Sequence, residues 1–294
     1  MQSLKSTRGA NPMRYALIPL RGLGQILFQA NFLSGTLVLA GLAVHSLTVA
    51  ISALLGSVMG TAVAVLRGFP KARIDNGWYG FNAALVAIAV AQFLPHTLTS
   101  LLLALVAVPL STFAAHRMLR TPLNPYTFPF VAITWLLFAV SPKGPAVPGS
   151  FNETLPALAQ AAANSFGQVV FQSGILSGVL VFAAVLVNSR RQAFLALAAS
   201  VLSAGAAMLL GLPPGFITAG LFGYNAVLAV IAVALITPSV AATLFAALLS
   251  VAITQIMLLA EMPALTFPFI LATWITAAAI NRMQVGLTVA VGEN

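Results

Sequence analysis

The sequence predicts an all-α polytopic membrane protein made of two inverted homologous repeats, each with five transmembrane spans. Of its 294 residues, 60% are hydrophobic and only 6% are charged, and the mean hydropathy is +1.03. A soluble domain of this length does not have such a composition. Three blocks of sequence also occur twice in the same order, and the basic residues fall on one side of the predicted spans.

The duplication is visible in three short blocks. Gly-Gln-Ile-Leu-Phe-Gln at 24–29 returns as Gly-Gln-Val-Val-Phe-Gln at 167–172. Gly-Phe-Asn-Ala at 80–83 returns as Gly-Tyr-Asn-Ala at 223–226, and Thr-Phe-Pro-Phe at 127–130 returns unchanged at 266–269. From these blocks we predict five segments: a cytoplasmic N-terminal segment (1–21), a first repeat (22–143), an external linker (144–163), a second repeat (164–282) and a cytoplasmic tail (283–294).

Apolar runs of about the length that a helix needs to cross a bilayer occur five times in each half. In the first half they are 26–44, 46–66, 78–94, 97–115 and 125–141; in the second they are 167–187, 192–211, 217–236, 239–259 and 264–280. Because five is odd, the second copy enters the membrane from the opposite side and is inverted relative to the first.

The basic residues give an independent test of this topology. With the N-terminus inside, every Lys and Arg except Lys143 falls in a cytoplasmic segment, as short loops of membrane proteins require. Both termini are therefore predicted to be cytoplasmic. The 13 basic residues outnumber the 4 acidic ones, but they are scattered singly between apolar runs, so we expect no nucleic-acid partner.

The sequence contains few side chains that could bind a metal, act as a nucleophile or carry charge inside the membrane. There is no cysteine, and the three histidines have no counterparts in the other repeat: His45, His96 and His116. No carboxylate lies in the middle of a span, since the four acids are Asp75, Glu153, Glu261 and Glu293. We therefore expect no metal, no cofactor and no enzymatic activity. The same pattern favours a neutral solute that moves down its gradient.

The Thr-Phe-Pro-Phe blocks predict helices that begin at Thr127 and Thr266. A threonine hydroxyl can cap free backbone N–H groups, and a proline in the first turn loses no hydrogen bond. If the helix begins at membrane depth, the threonine faces a buried cavity, because irregular backbone there must be satisfied by protein or water. The alternative is that the helix begins at the membrane interface.

Other repeated polar residues could line a pathway. Gln25 and Gln168 carry an uncharged donor and acceptor, and Phe28 and Phe171, three residues on, are predicted to share a helix face with them. The alternative is that the glutamines join helices and the phenylalanines pack the core. Both readings stay open for Gln29 and Gln172, whereas Asn82 and Asn225 are expected to brace broken backbone.

These blocks, with Leu-Arg-Gly-Leu-Gly-Gln at 20–25 and Asn-Phe-Leu-Ser-Gly at 31–35, resemble the urea transporter family of bacterial type over Leu20 to Trp274. The resemblance implies a channel-like fold with half-helices around a central pore, one pore in each protomer of a homotrimer. It also implies passive transport of urea across the inner membrane, through a filter of aromatic side chains and an oxygen ladder.

Motif by motif, the resemblance implies a role for ten residues. Gln25, Phe28 and Phe81 would flank one end of the filter, and Gln168, Phe171 and Tyr224 would flank the other. Thr127 and Thr266 would face the centre of the filter, which Leu85 and Leu228 would narrow.

The sequence departs from the family pattern at three places: Val131 after Pro-Phe, a short Glu-Met-Pro segment at 261–263, and Tyr224 in place of a phenylalanine. The phenol would add a donor to an apolar wall.

Other classes of transporter fit less well. A water channel would carry paired Asn-Pro-Ala half-helices, and an ammonium channel would carry paired histidines in the membrane; neither pattern occurs. A proton-coupled amide carrier is the second hypothesis, with Glu261 as its candidate ionisable group. Small amides, ammonia and water remain possible solutes beside urea, with membrane lipid as the surrounding partner.

Overall fold

The computed structural model describes residues 15–141 and 156–292, and their side chains up to residue 283. Lys143, Glu153, Glu293 and most of the predicted linker lie outside the described residues. Within the described ranges the regular structure is helical. The helices are α1 Ile18–Gln25, α2 Phe32–His45, α3 Leu47–Leu66, α4 Lys71–Asp75, α5 Phe81–Phe93, α6 Leu98–Met118, α7 Phe128–Val140, α8 Ala157–Gly167, α9 Ile175–Leu186, α10 Arg190–Leu209, α11 Pro214–Thr218, α12 Tyr224–Ala234, α13 Val240–Leu259 and α14 Phe267–Gly292.

Four helices have the length and hydropathy of a plain transmembrane span: α3, α6, α10 and α13. Each begins after a serine or threonine whose side chain accepts a backbone N–H from the first turn, at 3.2 to 3.3 Å; these residues are Ser46, Thr97, Ser189 and Ser239. Such caps satisfy N–H groups that have no partner inside the helix. The all-α membrane class is confirmed.

The apolar runs at 26–44 and 167–187 are not single straight helices. α1 ends at Gln25 and α2 begins at Phe32, so a turn occupies the start of the first run. In the second run, α8 continues into a 3₁₀ turn at Gln168–Val170, and the chain then bends by 72° into α9. α8 also begins at Ala157, inside the segment that we predicted as linker. The first turn is formed largely by apolar residues, whereas the second contains Gln172, Ser173 and Gly174.

Two short helices occupy the centre of the molecule. In α5 every residue from Phe81 to Val90 is buried, and in α12 every residue from Tyr224 to Val233 is buried. A helix that is apolar all round belongs in a protein interior. The outer helices instead expose large apolar side chains, among them Leu66 at 84% and Leu209 at 91%, as lipid-facing surfaces do.

The helices of the two halves match in order, from α1–α7 to α8–α14. The match extends to close backbone approaches. Gly35 of α2 lies against α1, where an added Cβ would come within 1.7 Å of the Leu20 carbonyl oxygen. Gly178 of α9 lies against α8 in the same way, 2.0 Å from the Ala163 carbonyl oxygen. Only glycine permits these crossings.

Candidate functional site

The two repeated threonines meet at the centre of the molecule. Thr127 precedes α7 and Thr266 precedes α14, and their hydroxyl oxygens are 2.7 Å apart. Both side chains are buried, and either hydroxyl can be the donor. The prediction that Thr127 caps its own helix is wrong, because its hydroxyl bonds to no N–H of α7. The pair instead joins the two helix beginnings.

Asparagines from the central helices perform the capping. The Asn82 side chain accepts the N–H of Phe130 at 3.0 Å and donates to the carbonyl of Tyr126 at 3.2 Å. Asn225 accepts the N–H of Phe269 at 3.2 Å and donates to the carbonyl of Leu265 at 3.2 Å. Both asparagines therefore brace the backbone where it breaks, as we expected from the sequence.

Left-handed backbone occurs at the two residues that precede the threonines and at the two repeated phenylalanines that contact the same helices. Phe28 and Phe171 have φ of 59° and 60°, and Tyr126 and Leu265 both have φ of 45°. Each such residue costs on the order of 1–3 kcal/mol, and such strain clusters at functional sites. Because the strained positions recur in both repeats, the turns belong to the architecture of the site.

The first aromatic cluster surrounds Phe28. Its ring makes edge contacts with Tyr126, at 5.7 Å between centroids, and with Phe269, at 6.0 Å. Tyr126 and Phe269 also contact each other at 6.0 Å. Edge-to-face packing of this kind holds each ring in a defined orientation.

The second aromatic cluster surrounds Phe171. Its ring centroid lies 5.3 Å from that of Phe93 and 5.9 Å from that of Phe130. The two clusters are crossed, because Phe28 of the first half contacts Phe269 of the second, while Phe171 contacts Phe130 of the first. The sequence analysis did not single out Phe130 or Phe269, although each is the last residue of a repeated Thr-Phe-Pro-Phe block.

The side chains of the repeated glutamines bond to protein groups near the two turns. Gln25 ends α1 and donates to the carbonyl of Asn76 at 2.8 Å, while Gln168 begins the 3₁₀ turn and donates to the hydroxyl of Ser173. The prediction that each shares a helix face with Phe28 or Phe171 is wrong. The helix ends at the glutamine, or one residue before it, and the phenylalanine has positive φ.

Gln29 joins the two halves. Its side chain is fully buried, donates to the Gln192 side chain at 2.8 Å and accepts from Asn188. Between the two readings for Gln29, the structure supports the joining of helices. The corresponding Gln172 is equally buried and donates to the carbonyl of Val170 at 3.5 Å.

The remaining predicted residues lie on the central helices. Phe81 opens α5, and Leu85 and Leu228 are fully buried at matching positions of α5 and α12. Tyr224 opens α12, and its hydroxyl donates to the carbonyl of Leu265. The Tyr224 hydroxyl therefore already donates its hydrogen to a backbone carbonyl.

Exchanged contacts relate the two halves. The indole of Trp135 donates to the carbonyl of Pro263 at 2.9 Å, and the indole of Trp274 donates to the carbonyl of Asn124, the matching residue, at 2.8 Å. When residue i contacts j and the copy of i contacts the copy of j in return, a two-fold relation is indicated. The contact between Thr127 and Thr266 lies on this approximate axis.

The acidic residues in the described ranges lie away from this centre. Asp75 forms an ion pair with Lys71 at 2.7 Å on the surface. Glu261 is exposed in the turn after α13. The centre is thus built from hydroxyls, amides, rings and backbone.

Comparison with known proteins identifies the family. The sequence model of the family described as urea transporter matches residues 16–281. The chain belongs to the urea transporter family. The resemblance drawn from the repeated blocks is confirmed. Urea transporter 1 of Capra hircus and of Ovis aries are each 28% identical over 289 residues, which is 86% of this chain and 74% of each relative.

Urea transporter 1 of Rattus norvegicus is 27% identical over 288 residues, with the same two coverages. Membership of the urea transporter family agrees with the apolar helices and makes this a multi-pass membrane protein. The urea transporter family is one of transporters and not of enzymes.

Proposed function

We propose that this protein conducts urea passively across the membrane through a narrow filter centred on Thr127 and Thr266. One observation carries the proposal: two uncharged, buried hydroxyls meet at 2.7 Å where two helices begin, and the first turn of each of these helices packs a ring on Phe28 or Phe171. Family membership and the names of the relatives give the solute.

The chemistry of the site suits urea. Urea is small, flat and neutral, and it both donates and accepts hydrogen bonds. Either threonine hydroxyl can donate to the other, so the pair can offer a proton or a lone pair to a solute that passes between or beside them. Aromatic faces exclude wider molecules, while oxygens replace the water that urea loses.

The proposed substrate-binding residues are those of the sequence analysis. The set consists of Gln25, Phe28 and Phe81 at one end, Gln168, Phe171 and Tyr224 at the other, Thr127 and Thr266 at the centre, and Leu85 and Leu228 beside it. To these the contacts add the crossed rings Phe130 and Phe269. They pack directly on Phe28 and Phe171, so they fix the orientation of both filter rings.

Passive flow is favoured over coupled transport. A proton-coupled carrier needs a titratable group that alternates between buried and open states. The candidate for that role, Glu261, is exposed in a turn. A channel for a neutral solute requires no such group.

We further propose that the protein forms a homotrimer in the bacterial inner membrane. Each protomer would consist of two inverted five-span repeats with both termini in the cytoplasm, and it would have no catalytic activity and no cofactor.

The test is stopped-flow efflux of urea from proteoliposomes that contain the purified protein, first at equal pH and then with opposed pH inside and outside. We expect fast efflux that saturates only at high urea concentration and ignores the pH gradient. Efflux equal to that of empty liposomes would refute urea as the solute. Uphill accumulation under a pH gradient would instead establish a coupled carrier, and formamide and acetamide measured in parallel would show the range of amides.

A further inference from the structure

Arginines of the first half gather around one cavity. The cavity has a volume of about 1020 Å³ and lies where the end of α3, the short helix α4 and the end of α6 meet. Arg67, Arg73, Arg117 and Arg120 line it, together with His116. A guanidinium stays protonated at any physiological pH, so four permanent positive charges surround one space.

No carboxylate in the described residues neutralises these charges. None of the described residues that line the cavity is acidic, and Asp75, on α4, is bound by Lys71. Arg67 lies over the Phe113 ring at 5.8 Å, and Arg73 donates to the Leu119 carbonyl at 3.3 Å. Within the described ranges, neither the Arg117 nor the Arg120 side chain forms a hydrogen bond or an ion pair. Like charges held together without a counter-charge repel one another, unless an anion joins them.

The wall behind the arginines is rigid. His116 is buried, stacks on Phe69 with 3.6 Å between centroids, and shares a hydrogen bond of 3.0 Å with the Tyr79 hydroxyl. Phe69 in turn contacts Phe113. The cavity therefore combines aromatic side chains with guanidinium groups, which are suited to the recognition of phosphate.

Topology alone does not produce this arrangement. The positive-inside rule places arginines on one side of the membrane but does not require four of them to line one cavity. Arg190 and Arg191 are predicted on the same side, yet they begin α10 outside this cavity, and Arg191 donates to the Pro238 carbonyl.

An apolar path leads from the bilayer to the arginines. Val106, Leu110 and Phe113 are exposed on α6 at 67%, 47% and 37%, and their spacing places them on the helix face that continues to Arg117. An acyl chain on this face would bring its headgroup to the cavity. This continuity favours a phosphate that is attached to a lipid.

We propose that the arginine cavity binds a phosphate group, carried by an anionic membrane lipid or free in solution. Arginine is suited to this ligand because its planar fork can donate two parallel hydrogen bonds to phosphate oxygens. The site is separate from the urea pathway, and binding can be measured without transport.

The test compares two double variants of equal charge change. R117Q/R120Q removes the two arginines that have no partner within the described ranges, and R190Q/R191Q removes two arginines on the same predicted side. The full-length protein in detergent is titrated with phosphatidylglycerol, with phosphatidylcholine as reference, and bound lipid is counted by native mass spectrometry. In a second arm, inorganic phosphate is titrated into the protein in phosphatidylcholine nanodiscs by calorimetry.

We expect R117Q/R120Q to lower the affinity for phosphatidylglycerol by about tenfold or more, and R190Q/R191Q to change it by less than about twofold. Loss of inorganic phosphate binding in R117Q/R120Q alone would support a soluble phosphate. If both variants bind both probes equally, the proposal is overturned. If R117Q/R120Q does not fold, R117K/R120K takes its place, because lysine keeps the positive charge but lacks the planar fork of the guanidinium. R117K/R120K should bind phosphatidylglycerol several-fold more weakly than the wild-type protein does. An affinity equal to that of the wild type would refute the site.

Discussion

The side chain of Asn82 accepts the backbone N–H of Phe130 at 3.0 Å, so a residue of α5 holds the first turn of α7. The N–H groups of a first turn have no partner inside their own helix. In a buried helix beginning they must find one elsewhere, and here a remote amide supplies it.

Replacement of Asn82 by Ala should destabilise the protein by about 1–3 kcal/mol, because it leaves a buried N–H and a buried carbonyl with one partner fewer. Thermal unfolding in detergent measures this loss. Asn76→Ala is the control, since among the described residues the exposed Asn76 side chain bonds to Ala72 alone, within its own turn. Equal unfolding temperatures for the two variants would contradict the bracing role.

Thr127→Val and Thr266→Val should each reduce urea flux by about five- to tenfold, because each removes one neutral hydrogen-bonding group from the centre. Stopped-flow efflux gives the flux, and protein content of the liposomes gives the amount inserted. Thr276→Val is the matched control on α14, where the Thr276 hydroxyl donates to Ala272 within the helix. Unchanged flux in both threonine variants would remove the pair from the pathway.

Phe28→Ala should admit larger amides, because it removes the ring that contacts Tyr126 and Phe269. Phe28→Gly should do the same with a smaller loss of stability, since glycine adopts positive φ without strain. The ratio of acetamide to urea flux tests the first statement, and thermal unfolding tests the second. Phe194→Ala, on the exposed side of α10, should leave the ratio unchanged. Continued exclusion of acetamide by both Phe28 variants would assign this ring to core packing.

Tyr224→Phe should leave the flux ratio of small amides to urea unchanged, because the hydroxyl is already bonded to the Leu265 carbonyl. The loss of stability should be about 1 kcal/mol or less, since Asn225 still donates to the same carbonyl. Competition between urea and formamide measures the selectivity. A clear shift in selectivity would show that the phenol faces the solute.

Sequence reasoning predicted the membrane class, the family and the repeated residues that meet at the centre. It failed where apolar residues form a turn: nothing between Gln25 and Asn31 is glycine or proline, so the break at Phe28 resembled continuous helix. It also missed Tyr126 and Leu265, because an irregular segment gives no periodic signal. The crossed packing of Phe130 and Phe269 depends on how the two halves contact each other in three dimensions. A single sequence does not specify those contacts.

The pairing of Thr127 with Thr266 has a consequence for synthesis. A ribosome that has released α7 into the bilayer has not yet made Thr266, Phe269 or Trp274. We expect the first half to enter the membrane before Thr266 is made, with Thr127 still unpaired. If the proposed function holds, a nascent chain interrupted before Thr266 should remain in the membrane as a fragment that does not conduct urea, because one of the two central hydroxyls is missing.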